Sequence, residues 1–324
     1  MPTTTAKKKS APRNRIGALK QAATTARWAV RRSRGVQVIR APALACVDWL
    51  VHGFSTRPGG ASKLKTLSSG RGKTESVLNL GFTDWDTRAS VLKNREKFFS
   101  AAGTNKMRVV MLRQIHSDIV HRVDREAEPA AEAPQGDALF TRERGVLLVV
   151  QTADCIPILL ADPKHRAVAA IHAGWRGTLS RIAEKTLGRM QMDFGTRPDE
   201  VIAALGPGIG QCCYEVGEEV AKEFQAQFPN ARDWFEGPFD SLASGENDPN
   251  WLPWLTMMPP GHQPPPPRAH LDLIAANRAI LATAGVAPGN ISSSGFCTSC
   301  RTDLLFSFRR ERTTGRMMAV IGIR

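Results

Sequence analysis

Residues 148–177 read LVVQTADCIPILLADPKHRAVAAIHAGWRG. The stretch holds short apolar runs bounded by turn residues, the pattern of buried strands. One run closes on Asp154-Cys155, and the next closes on His172, followed by Ala-Gly-Trp-Arg176-Gly. Two consecutive buried strands that each end in a metal-binding or nucleophilic side chain raise a functional question as well as a structural one.

Working outward, the same alternation continues in both directions. GVLLVV, RAVAAI and EVIAAL are strand-like, and the chain closes on strand-like MMAVIGI. VLKNREKFFSAAG (91–103) reads as a helix stopped by Gly103, and LDLIAANRAILATAG (271–285) as another with a glycine stop. TLSRIAEKTLGRM sets Leu179, Ile182, Ala183, Leu187 and Met190 on one helical face with Thr178 as N-cap. Strands alternating with amphipathic helices place the chain in the α/β class. Two segments break the order. GGASKLKTLSSGRGK (59–73) reads as a surface loop, and residues 235–270, crowded with Pro, Gly and Trp, as an irregular insertion.

The formal net charge of +14 suggests a polyanion partner, but its distribution argues otherwise. Residues 1–40 carry eleven Lys or Arg and no Asp or Glu, leaving 33 basic and 30 acidic side chains in residues 41–324. The basicity belongs to an arm with few large apolar groups, expected to be mostly disordered and to make at most weak polyanion contacts. A helix over Ala18–Arg32 and an organelle transit peptide are the other readings of this segment. No run reaches the eighteen apolar residues of a membrane span. Six cysteines in a chain of 324 residues without a secretory signal do not read as a disulfide framework and suit the reducing cytoplasm.

Three runs end in chemistry: VVMLRQIH in His116, LLVVQTADC in Cys155 and AVAAIH in His172. Parallel strands would bring these ends together, beyond the sheet edge where ligands commonly sit. Two imidazoles and a thiolate suit Zn²⁺ with an open fourth position, which makes a bound water acidic near pH 7. Spacing alone leaves two other readings open: three ordinary buried residues, or a Cys155 nucleophile with His172 as base. Arg176, close to a helix start, could bind phosphate or pair with a nearby carboxylate. GPGIGQCCYE (206–215) could offer backbone amides to a ligand or be a plain turn. Cys297-Thr-Ser-Cys300 is a lone Cys-x-x-Cys, and adjacent Cys212 and Cys213 lack the spacing of a ribbon or finger, so no four-cysteine site is expected. The basic run SFRRERTTGR (307–316) could supply anion-binding arginines to the same cleft.

HGFSTRPGG, LNLGF, LRQIHSD, GDALFT, QTADCIPILLAD, AVAAIHAGWRGT, ALGPGIGQCCYEVGEEV, HLDLIAANR and FSFRRERTTGRMMAVIG occur together in this order. As a set, covering about residues 48–323, they resemble the YfiH family, also called the laccase-domain, multicopper polyphenol oxidase or peptidoglycan editing factor family. The resemblance implies one catalytic domain over 41–324, a layered α/β/β/α sandwich with mixed β-sheets. It implies zinc on His116, Cys155 and His172, and phosphorolysis of adenosine, inosine and methylthioadenosine together with adenosine deamination. Purine nucleoside and phosphate are then the small-molecule partners. Arg57 of FSTR, Asn79 of LNLGF, Arg176 and Arg310 of SFRRE are the candidate substrate contacts. The alternatives carried by the family's names are a Cys155 hydrolase or amidase acting on peptidoglycan precursors and a copper-dependent polyphenol oxidase. Copper could enter a His₂Cys site. Seven histidines with no two spaced as His-x-His nevertheless leave no place for a multicopper cluster. Ser117 stands where the family commonly has Gly.

Overall fold

The computed structural model describes residues 28–66, 73–124, 132–237 and 268–324. Residues 148–177 supply three strands, one in the first sheet and two in the second. The first six-stranded sheet runs β1 (Ala29–Ser33), β2 (Val36–Arg40), β3 (Leu50–Ser55), β17 (Met317–Ile323), β9 (Val146–Thr152), β6 (Arg108–Met111). The second runs β16 (Ile291–Ser293), β12 (Ile202–Leu205), β10 (Ile156–Asp162), β11 (Ala167–Ala173), β8 (Ala138–Thr141), β7 (Val120–Arg122). The chain passes from one sheet to the other between Thr152 and Ile156, where Cys155 lies.

The central strands β9, β10, β11 and β17 are nearly all apolar because both faces of the sheets are covered there. In β9, Val146, Leu148 and Val150 enter the core between the sheets, while Leu147 and Val149 face the opposite way. In β11, Val168 and Ala170 join the inter-sheet core, while Ala167, Ala169, Ile171 and Ala173 face outward. Side chains of period two thus read directly onto layers. Outside the first sheet, Phe98, Ala101 and Ala102 of the helix Arg88–Ala102 cover Leu147, Val149 and Met318. Outside the second sheet, the helices Ile182–Phe194, Glu218–Gln227 and Leu273–Thr283 cover Ile158, Ala169 and Ile171. The layers are therefore α/β/β/α, as expected. Leu147 and Leu148 are fully buried, and truncating either to alanine should cost about 2–5 kcal/mol.

Several local expectations are corrected. The ends of β6 and β9 do run parallel, with Met111 opposite Val149, but β10 and β11 form an antiparallel hairpin with Pro157 opposite His172. A four-residue turn between them is too short for a parallel crossover. Residues 29–40, counted with the basic arm by charge and overlapping the possible helix, form the β1–β2 hairpin, paired from Ala29↔Arg40 to Ser33↔Val36. Residues 1–27 lie outside the described residues. The 59–73 segment is no loop: Pro58–Thr66 (β4) and Lys73–Val77 (β5) pair antiparallel, and residues 67–72 fall outside the description. Most of the Pro/Trp-rich insertion, 238–267, is also outside it, and its flanks pair through Phe235–Glu236 (β14) and Ala269–Leu271 (β15). Thr178 does not cap the long helix. It sits inside a short helix, Trp175–Leu179, and accepts a hydrogen bond from Asn277 (2.9 Å). Arg181 at φ +58 then breaks the chain before Ile182.

Candidate metal and substrate site

The pairings explain how three distant side chains meet. His116 lies five residues beyond Met111, alongside the end of β9. Gln114 locks that register by donating to the Gln151 carbonyl (2.8 Å) and accepting the Gln151 N–H (2.7 Å). Cys155 follows in the crossover between sheets. The antiparallel hairpin returns His172, opposite Pro157, to the start of β10. The imidazole nitrogens and the Cys155 sulfur lie within 4.8 Å of one another. The two rings meet edge to face at 4.9 Å.

Backbone strain marks this junction. His116 and Asp154 are both in the left-handed region, at φ 60 and 97. Such conformations cost roughly 1–3 kcal/mol each and persist only where neighbours over-determine them. At His116 the neighbour is Asp137, whose carboxylate accepts the N–H groups of Ile115, His116 and Ser117 (3.2, 3.1 and 2.6 Å). At Asp154, the carboxylate accepts from the Thr298 hydroxyl (2.6 Å) and the Arg309 N–H (2.6 Å), and the carbonyl from the Ile209 N–H (2.7 Å).

Asp137 also accepts from His172 Nδ1 (2.8 Å), so it is Nε2 that faces Cys155 and His116. A carboxylate behind a ligating imidazole fixes its tautomer and raises its basicity. Burial pushes the Asp137 carboxyl up, but hydrogen bonds from His172 and Ser117 outweigh it and hold it at about 2. Burial likewise opposes a charge on Cys155, yet the positive charge of His172 and hydrogen bonds from both imidazoles bring the thiol down to about 6. The Cys155 charge and Asp137 in turn overcome burial and lift His172 to about 9. Without an ion, a thiolate–imidazolium pair fills the site; a cation can take the place of the proton.

Two soft-to-intermediate imidazoles and one thiolate are the donor set of an open zinc or copper site. Gly174 supports the fit. A Cβ there would stand 2.9 Å from the Cys155 sulfur and 3.2 Å from His116 Cδ2, so the donors close against bare backbone.

The trio lines a cavity of about 720 Å³. Arg113, Arg309, Arg312 and Arg316 line it with Tyr214 and Phe308. The arginines gather because Met317 pairs with Thr152. This pairing delivers Arg316 beside the Cys155 crossover, and the short helix Phe308–Glu311 precedes it. The Arg309 guanidinium stacks over Tyr214 at 5.1 Å. Burial and the Cys155 charge raise the Tyr214 phenol, which stays a neutral hydroxyl.

The other sequence-predicted contacts do not line this cavity. Arg57 is buried, pairs with Glu311 (2.6 Å) and Glu75 (3.1 Å), and packs over Phe306. Asn79 is fully buried and braces the chain, accepting from the Arg316 N–H (2.9 Å). Arg176 is exposed over the Trp175 ring, and Arg310 is exposed beside the arginines that do line the wall. Of the basic run 307–316, Arg309, Arg312 and Arg316 line the cavity and Arg310 does not. Phe308 opens the short helix and Arg312 caps its end at φ 60; both line the cavity, the Arg312 guanidinium 5.9 Å from the Phe308 ring. Asp137, in the quoted GDALFT, was missed although a carboxylate just before a strand beside a candidate ligand was a usable signal. The four cysteines not expected to meet do so: the sulfurs of Cys212, Cys213, Cys297 and Cys300 also lie within 4.8 Å of one another.

Residues 51–324 match the family model described as multi-copper polyphenol oxidoreductase laccase. The chain belongs to this family, the laccase-domain or YfiH family. A relative from Deinococcus radiodurans named purine nucleoside phosphorylase is 38% identical over 294 residues, covering 89% of this chain and 94% of that protein. Adenosine deaminase RL5, from an unknown prokaryotic organism, is 35% identical over 260 residues, covering 76% of this chain and 88% of its own length. Among solved structures, YlmD from Geobacillus stearothermophilus superposes with a TM-score of 0.72 at 32% identity, covering 92% of this chain and 99% of that one. In this YfiH-family chain the whole cavity falls inside the matched residues. Among the described residues, no helix is long and apolar enough to cross a membrane.

Proposed function

We propose that this chain is a zinc-dependent purine nucleoside enzyme, acting by phosphorolysis of adenosine, inosine and methylthioadenosine and by deamination of adenosine. The observation that carries the reading is the junction, in one cavity, of a three-donor metal site with a wall of arginines and aromatic rings. Relatives named purine nucleoside phosphorylase and adenosine deaminase point to the same chemistry.

His116, Cys155 and His172 would hold the ion, which supplies Lewis acidity and a water made acidic near neutral pH. Asp137 keeps His172 in the tautomer that presents Nε2 to it. The guanidiniums of Arg309, Arg312 and Arg316 bind phosphate, with the charge-assisted hydrogen bonds that favour Arg over Lys at a planar oxyanion. Tyr214 and Phe308 give a purine two aromatic faces to pack on. In phosphorolysis a phosphate oxygen attacks C1′ of the ribose, the C1′–N9 bond breaks, and the base leaves with the electron pair. The arginine wall holds the nucleophile against its own charge repulsion. In deamination, water adds at C6 and ammonia leaves. The neutral Tyr214 hydroxyl is a donor that could serve the purine ring in either reaction. The reading assigns the enzyme to the cytoplasm, a reducing compartment in keeping with six unpaired cysteines.

The test is turnover of a nucleoside panel by metal-replete full-length protein, with and without phosphate. Free base and ribose 1-phosphate should form only with phosphate, and inosine should form from adenosine without it. No turnover of any nucleoside by protein that holds the ion would overturn the proposal.

A further inference from the structure

We infer that Cys212, Cys213, Cys297 and Cys300 form a second metal site, closed and structural, that takes one divalent ion of the zinc class. The topology creates it. β12 and β16 are parallel neighbours, with Leu205 opposite Ser293, and both continue past the same edge of the second sheet. The two strand-to-loop exits, Gly208 and Cys297, still pair as an isolated bridge. A one-turn 3₁₀ helix, Gln211–Cys213, presents Cys212 and Cys213, and the turn at Cys297–Cys300 presents the other two.

The sulfurs are spaced for an ion. Cys213 to Cys300 is 3.4 Å, Cys212 to Cys300 is 3.6 Å and Cys212 to Cys213 is 3.8 Å. Thiolates at about 2.3 Å from a tetrahedral zinc stand about 3.8 Å apart. The compactness suits a single ion rather than an iron–sulfur cluster, which holds its thiolates around several metal atoms. Cys297 accepts the Gly210 N–H at 3.2 Å and a second backbone N–H from Cys300, the outer-shell donors that orient a ligating thiolate. A Cβ on Gly210 would approach Cys297 Cβ at 3.2 Å and the Cys212 sulfur at 3.3 Å, so here too the cluster closes on bare backbone.

Its position gives it a role. Tyr214 follows Cys213 in the chain and lines the substrate cavity. Thr298 follows Cys297 and donates to Asp154, which also holds the Arg309 N–H. An ion on the four sulfurs clasps the two loops that position Tyr214 and Arg309.

The test needs no substrate and so separates this inference from the nucleoside reading. Elemental analysis of the full-length protein should find two zinc-class ions per chain. Cys300→Ser should remove one and Cys155→Ala the other. Because Cys300→Ser could unfold the clasp, thiol reactivity is followed in the wild-type chain as well. Cys212 and Cys300 are exposed and burial cannot protect them. They should react with a thiol reagent about tenfold faster or more once a chelator strips the ion. One ion per chain with both thiols reacting at once, or protection that survives chelation but yields to reductant, as a disulfide would, overturns the site.

Discussion

The two donor clusters differ in everything except the way the fold assembles them. His116, Cys155 and His172 bring three donors together, line a cavity, and have one imidazole held by the buried Asp137 carboxylate. Cys212, Cys213, Cys297 and Cys300 supply four thiolates at the surface and leave no corner for a substrate. Both arise where strand ends exit a sheet side by side. The contrast teaches that donor count and the space beyond the donors, rather than burial, separate a site that does chemistry from one that holds loops.

The largest break in this contrast should come from Cys155→Ala. It should lose the cavity ion and lower nucleoside turnover by about 10³-fold, roughly 4 kcal/mol of transition-state stabilisation, as read by steady-state kinetics beside metal analysis. Asp137→Asn keeps the shape but removes the charge behind His172, and its amide would turn donors toward the N–H groups of Ile115, His116 and Ser117. Metal affinity at the cavity should fall about 10–100-fold in a competition titration, with the four-cysteine ion unaffected.

Arg312→Ala should raise the KM for phosphate about tenfold with metal content unchanged, since a charge-assisted hydrogen bond is worth about 1.5–3 kcal/mol. The same change at Arg310, which does not line the cavity, should do less. Gly174→Ala adds a methyl group against Cys155 and His116. It should cost about 1–3 kcal/mol, visible as a lower melting temperature of the metal-loaded protein.

The smallest effect concerns pH in the metal-free protein. Cys155 is depressed to about 6, so its contribution is complete above the ordinary thiol range and is lost as pH falls through 6. His172 is raised to about 9, so its contribution is complete below the ordinary imidazole range and is lost as pH rises through 9. Their ion pair therefore stabilises the apo fold between those values. Metal uptake must displace the His172 proton, so apparent affinity should climb over the same interval. Affinity flat across it would show that the pair is not formed.

Much of this was legible because it is local. The near-continuous apolar runs VLLVV and AVAAI announce strands covered on both faces, and the side chains that end them announce the cavity trio. What escaped depends on pairings that no local pattern encodes. Sequence could not say that the 156–173 segment is an antiparallel hairpin, nor that β12 and β16 lie parallel and so bring Cys212 to Cys300. The arginine wall was visible as a basic run, but which members line the cavity depends on the Ser307 cap, which accepts the Arg310 N–H, and on the left-handed turn at Arg312 that ends the short helix. Arg57 and Asn79 stand in motifs that pointed to substrate; in the fold Arg57 pairs with Glu75 and Glu311, and Asn79 accepts from the Arg316 backbone.

The central claim, that one ion on His116, Cys155 and His172 drives nucleoside turnover, is tested most directly by stripping the protein of metal and adding zinc back in steps while following adenosine conversion. Turnover should rise in proportion to occupancy of that site and stay flat in Cys155→Ala. Full conversion by stripped protein, or by the Cys155→Ala chain, would contradict it.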